Sequence, residues 1–178
     1  QIIGVSSGLL VSYFFGHFVS KTHFGEYNLV LSILGSITFL SLPGIDLGLT
    51  QSIIKGYDYS FIDSHRQKFR LSLIAIPALL ILGYYYLKFN NALVGQLLFL
   101  CAFCYPFLNS YTNFSTFLAA KHKFKQLALI ASLSSLFFLI STFISTYFFD
   151  SSIALIIGYL VGLTVPSIVG YRFSIQFV

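Results

Sequence analysis

Charge is what this sequence has least of: Asp, Glu, Lys and Arg make up 8% of its 178 residues, against about 25% in an ordinary soluble domain. With 57% of residues hydrophobic and a mean hydropathy of +0.86, no soluble fold has interior enough to hide the apolar surface, and a soluble globular domain is excluded. Strict two-residue alternation is also missing, which argues against a barrel. Hydrocarbon obliges every backbone N–H and C=O to find an internal partner, so helices remain. Methionine is absent altogether; the natural initiator is therefore missing, and the stretch from Gln1 to Val178 is expected to be a fragment of a longer chain.

Enzyme signatures are absent too. There is no Gly-x-Ser-x-Gly, no His-Glu-x-x-His, no phosphate-cradling glycine loop with its lysine and no carboxylate pair, so neither an enzyme nor a cofactor is expected. The two cysteines, Cys101 and Cys104, form a Cys-x-x-Cys inside an apolar run. A zinc or redox site would need polar ligands or solvent there, and small packing residues are the better reading. The net charge of +5 sits in short segments between apolar runs, which points to membrane topology rather than nucleic acid.

What is present is a series of long apolar runs. A bilayer core of about 30 Å takes about 20 apolar residues at 1.5 Å each, and six runs qualify, over residues 2–20, 27–54, 71–87, 92–120, 126–149 and 153–171. The expected fold is an all-α membrane protein, a single lobe of six transmembrane helices over 1–178, with a polar loop from Lys55 to Arg70. Lys55, Arg66, Lys68, Arg70, Lys121, Lys123, Lys125 and Arg172 fall on one side and only Lys21 and Lys88 on the other, which puts the first side, and both ends, in the cytoplasm. Tyr84 to Tyr86 and Tyr147 to Phe149 close spans three and five as aromatic belts do at the outer interface.

In lipid, helices associate through small residues that let backbones approach. Gly4, Gly8, Ser12 and Gly16 in span one, Gly44 and Gly48 in span two, and Gly158, Gly162, Pro166 and Gly170 in span six each lie on one helix side. All four prolines, Pro43, Pro77, Pro106 and Pro166, fall inside spans, where each removes a backbone bond and bends the helix.

Asp46 lies some 12 Å inside span two at 1.5 Å per residue. A carboxylate there costs about 2.5 to 3.5 kcal/mol, so it faces a wet cavity, finds a partner, stays protonated, or caps a helix restarted after Pro43 and Gly44. Span four presents Tyr105, Asn109, Thr112, Asn113 and Thr116 at three- and four-residue steps, one polar face at mid-membrane depth. That face is either interhelical glue or the lining of a hydrophilic cavity. Gln51, His17 and Gln96 are given no role.

Phe24-Gly25-Glu26-Tyr27, then Asp46-Leu47-Gly48-Leu49 before basic Lys55, and the link Leu118-Ala119-Ala120-Lys121-His122-Lys123-Phe124-Lys125-Gln126-Leu127-Ala128, resemble the polysaccharide-exporter branch of the multidrug/oligosaccharidyl-lipid/polysaccharide flippase superfamily, and the O-antigen flippases within it. The resemblance implies an amino-terminal lobe whose second lobe lies elsewhere in the same chain. It also implies location in the bacterial cytoplasmic membrane and transport of undecaprenyl-pyrophosphate-linked oligosaccharide by alternating access. Asp46, Tyr105, Asn109, Thr112, Asn113 and Thr116 would then line the substrate cavity. No Lys or Arg is expected deep in a span, so attraction of the anionic substrate would fall to Lys55 or Arg70 at the cytoplasmic mouth, or to the missing lobe. The alternatives are a drug or cation antiporter of the same superfamily, a membrane-embedded glycan polymerase or ligase, and a purely structural subunit.

Overall fold

A computed structural model describes residues 13–15, 17, 19–38, 44–89, 91–149 and 151–178. Nearly all of the first expected span, its row of Gly4, Gly8, Ser12 and Gly16, and Pro43 lie outside the described residues. Within them the chain is all-helical, with seven helices: α1 (Lys21–Thr38), α2 (Gly44–Ile54), α3 (Ser60–Phe89), α4 (Ala92–Ser110), α5 (Asn113–Ala120), α6 (Phe124–Phe148) and α7 (Ser152–Ile175).

Four stretches are long and apolar enough to cross a membrane: Ser60–Phe89, Ala92–Ala120, Phe124–Phe148 and Ser152–Ile175. These correspond to the last four of the six expected spans. The second, 27–54, is divided between α1 and the 11-residue α2, and neither is among the helices long and apolar enough to cross alone.

The largest departure is in the expected polar loop from Lys55 to Arg70. Only residues 55–59 connect helices; from Ser60 onward the chain is already α3, a 30-residue helix that runs through Pro77 to Phe89. The buried positions explain why. Phe61, Ser64, Lys68, Ser72, Ala75, Leu79 and Gly83 recur at three- and four-residue steps, so one continuous face packs inward through both the polar and the apolar segment. Polarity in this segment does not mark where the helix starts.

Two antiparallel hairpins, α3–α4 and α6–α7, carry the most extensive packing. Asn91 starts α4 by accepting a hydrogen bond from the Leu93 N–H at 3.0 Å, and Ser151 does the same for Ile153 at the start of α7. In α3–α4 the backbones meet at Gly83 and Gly95, where a Cβ on Gly95 would lie 2.7 Å from the Gly83 carbonyl oxygen. In α6–α7, Gly158 and Gly162 lie against Ser141, Ser145 and Phe138, and the Ser141 hydroxyl donates to the Gly158 carbonyl at 2.9 Å. Gly170 lies against the Phe114 ring, so the glycine row of the last span is a packing face. Among the described residues, nothing stands within 4 Å of a Cβ built on Gly44 or Gly48. They open a groove between α2 and α3 instead.

Helix α1 lies over α4 and α7 through Tyr27, Val30, Leu34 and Ile37. These join Leu79, Leu97, Leu98, Cys101, Ala102, Leu155 and Ile156 in the main core. Cys101 and Cys104 are free thiols within that packing. Among the described residues no three of His, Cys, Asp and Glu converge as a metal would require. Helix α6 is the reverse case. Leu129, Leu133, Leu136, Ile140 and Ile144 are exposed on a helix whose most apolar stretch is 6% buried, the kind of surface a membrane-crossing helix would turn to lipid.

The connections are as specific as the contacts. After α2, Gly56 takes φ +89° while the Gly56 and Tyr57 N–H groups return to the carbonyls of Ile53 and Ser52. After α5, His122 takes φ 57°, with its own N–H and that of Lys123 bonded to Ala119 and Leu118. Both are Schellman turns, the second built on a histidine where glycine is usual. They bring the basic ends together: Lys121 pairs with Asp58, and the Lys123 ammonium lies 3.0 Å from the Phe177 ring centroid. A second core of Leu49, Ile53, Phe61, Phe114, Phe117 and Leu118 sits between them.

Candidate functional site

The opposite end of the bundle is fastened by a polar cluster. Glu26 on α1 accepts from Asn91 Nδ2 at 2.9 Å and from the buried Ser152 hydroxyl at the start of α7. His23 Nδ1 lies 3.4 Å from Glu26 and 2.8 Å from Ser152 Oγ. Burial alone would raise the Glu26 carboxyl, but the hydrogen bonds from Ser152, Asn91 and His23 outweigh it and hold the group below its ordinary 4.5. A carboxyl depressed in the fold adds stability above its unfolded pKa and loses it as pH falls through the folded one. The wild-type protein is therefore expected to lose thermal stability on acidification through the carboxylate range, and Glu26→Gln to flatten that part of the profile. Identical profiles would dismiss the cluster as a fastening.

Asp46, in the first turn of α2, does not stand alone. Both its oxygens accept from Lys68 Nζ, at 2.7 and 2.8 Å. The Lys68 side chain is 5% exposed and that of Asp46 38%, so the ammonium is enclosed while the carboxylate looks outward. Lys68 lies eight residues inside α3 and three before the apolar run that begins at Leu71, so it is an enclosed cation at the polar end of a long helix. A charge is tolerated at such a place because its partner is opposite.

From this pair a polar seam runs along the α3 face that meets α4 and α5. The Ser72 hydroxyl donates to the Lys68 carbonyl at 2.7 Å and accepts from Asn109 Nδ2 at 2.8 Å. Asn113 Nδ2 donates to Ser64 Oγ at 3.1 Å, and the Thr116 hydroxyl reaches Asp46 Oδ1 at 3.5 Å. His65 Nδ1 lies 3.1 Å from the Ser110 carbonyl; a carbonyl only accepts, so this nitrogen carries the proton.

The five residues expected to share one face of span four are therefore divided. The helix changes register at Tyr111 and Thr112, where the Thr112 and Ser115 hydroxyls bind the carbonyls of Asn109 and Thr112. Before that point, Tyr105, Asn109 and Thr112 line a cleft of about 260 Å³ between α1, α4 and α7. The Tyr105 hydroxyl is buried there without a hydrogen-bond partner among the described residues. Beyond it, Asn113 is fully buried against α3, and Thr116 joins Asp46, Thr50 and His122 around a second cleft of about 490 Å³. Asn109 belongs to both seam and cleft, so glue and cavity lining are combined in one residue.

Of the two cations expected at the mouth, Lys55 is exposed at the end of α2 and Arg70 lines a separate cleft with Arg66. Gln51, His17 and Gln96 are all exposed. Lys68 was hidden from sequence reasoning because it falls between Arg66 and Arg70 in what reads as a basic loop. The spacing of Phe61, Ser64, Lys68, Ser72 and Ala75 is the signal that would have found it. No family model, no curated protein and no solved structure matches this chain.

Proposed function

We propose that this chain is a transmembrane lobe of a flippase-type transporter, with six spans, both ends in the cytoplasm and a second lobe elsewhere in the same protein. It would carry a lipid-linked oligosaccharide, of the undecaprenyl-pyrophosphate kind, across the bacterial cytoplasmic membrane. The observation that supports this best is the Asp46–Lys68 pair, an ion pair set into an apolar helical bundle, enclosed on the lysine side and open to a cleft on the aspartate side. A pair enclosed on one side and open to a cleft on the other suits a transporter, which uses charge at the mouth of its cavity to steer or couple its cargo. The substrate class follows from the resemblance of the three motifs, and the hydroxyl- and amide-lined cleft of Tyr105, Asn109 and Thr112 suits a sugar.

The test is complementation of a strain lacking the intact gene, with surface glycan as readout. An Asp46→Leu/Lys68→Met double substitution removes both charges together and so keeps the lobe folded. It is expected to reduce export about tenfold or more, since each 1.4 kcal/mol of lost coupling is a factor of ten. Wild-type glycan with the variant present at normal level would overturn the reading. A changed resistance to cationic drugs with unchanged glycan would favour the antiporter.

A further inference from the structure

The two arginines of α3 are used differently from Lys68. Arg66 and Arg70 are four residues apart, hence one turn apart on the same side of the helix, and both are exposed. Neither has a carboxylate within 4.0 Å among the described residues; the ion pairs there are Lys68–Asp46, Lys121–Asp58 and His23–Glu26. With His65, Phe69, Phe107 and Tyr111 they line a cleft of about 340 Å³ to which no acid contributes.

Its walls are organised. The Phe69 and Phe107 rings meet edge to face with centroids 5.7 Å apart. His65 is held by Ser110 and packed between Tyr111, at 4.8 Å, and Tyr171, at 4.3 Å. With Nδ1 protonated towards Ser110, the other ring nitrogen is left to accept, or to donate once the ring is charged.

Position decides the ligand. Arg70 directly precedes the apolar run beginning at Leu71, and Phe107 is exposed beside it. The cleft is therefore apolar towards the hydrocarbon and doubly cationic where that hydrocarbon ends. Two guanidinium forks one turn apart match phosphate oxygens, which they bind in pairs, and a basic site at this level selects anionic lipids.

We propose that the Arg66–Arg70 cleft binds the phosphate or diphosphate headgroup of a membrane lipid, with Phe69 and Phe107 against the start of its chain. This rests on the membrane-spanning reading alone and not on the identity of the transported glycan. The shared chemistry is a lipid phosphate; the source is either an anionic phospholipid of the bilayer or the polyprenyl diphosphate of the cargo.

The intact protein, purified and exchanged into nanodiscs, would be assayed for retained lipid by native mass spectrometry. The arms contain phosphatidylethanolamine alone, added phosphatidylglycerol, or added polyprenyl diphosphate, with inorganic pyrophosphate as a competitor. At least one of the two anionic lipids is expected to be retained in preference to zwitterionic phosphatidylethanolamine. Arg66→Gln/Arg70→Gln should lower that retention about tenfold or more, while Lys125→Gln, an exposed cation of the basic link, should leave it unchanged.

Arg66→Lys/Arg70→Lys keeps the charge without the fork and should fall between the two. Phosphatidylglycerol as the retained lipid assigns the cleft to the bilayer; polyprenyl diphosphate assigns it to the cargo. Equal retention by wild type and the double glutamine variant in every arm would overturn the proposal. Loss of retention with normal glycan export would uphold it and count against the cleft as a station in transport.

Discussion

Replacing Asp46 with alanine is expected to destabilise the lobe by about 3–5 kcal/mol, the cost of leaving one member of a buried ion pair uncompensated. The two partners are unequal, and so are the expected effects. Lys68, 5% exposed, is left without its carboxylate partner when Asp46 is gone. Asp46, 38% exposed, can be solvated from its cleft when Lys68 is gone. Lys68→Met should therefore cost clearly less than Asp46→Ala. The double substitution Asp46→Leu/Lys68→Met should fall close to wild type, because an apolar pair of similar volume removes the desolvation cost along with the attraction. Reversible unfolding in mixed detergent, read as a double-mutant cycle, measures the coupling directly. Additive losses from the two single changes would show that the pair contributes nothing as a pair.

The second large effect is expected at Gly95. A methyl group there would stand 2.7 Å from the Gly83 carbonyl oxygen and 2.8 Å from the Leu87 backbone nitrogen. Backbone atoms cannot swing aside as side-chain ends do. Gly95→Ala is expected to cost about 1–3 kcal/mol by overpacking, and Gly95→Leu to separate α3 from α4 and abolish folding. Gly48→Ala, where a Cβ meets nothing within 4 Å, is the contrasting change and should be nearly neutral. Thermal unfolding of the three variants checks the order, and equal losses at Gly95 and Gly48 would contradict the close approach.

Helical character and the four long apolar helices were readable from composition and run length, because hydrocarbon leaves the backbone few choices. The glycine row of the last span was readable as well, since its four-residue spacing shows the face directly. Gly83 and Gly95 were not: they sit on different helices with no partner at four-residue spacing, and only the hairpin brings them opposite one another. The start of α3 was missed for a related reason. Polar residues from Ser60 to Arg70 resemble a loop when depth in the membrane is the only guide, although their inward-facing period continues that of the apolar run.

The candidate site was half visible. Asp46 stood out as an acid in an apolar run, but its partner lies 22 residues away on another helix, in a segment that looked solvated. The face from Tyr105 to Thr116 was visible as a period. Its division came from the register change at Tyr111 and Thr112, which no residue type there announces. Arg66 and Arg70 were visible only as topology signals; the aromatic cleft around them needed Phe107 and Tyr111 from the neighbouring helix.

A bundle that crosses a bilayer with its basic end inside is tested most directly by thiol labelling of single-cysteine variants. On a background with Cys101 and Cys104 replaced by alanine, cysteine would be placed at Lys88 or at Lys125 and treated with a membrane-impermeant maleimide. Labelling at Lys88 in intact cells, and at Lys125 only after the membrane is opened, is the expected result. Labelling of both positions in intact cells, or of neither until lysis, would contradict the arrangement.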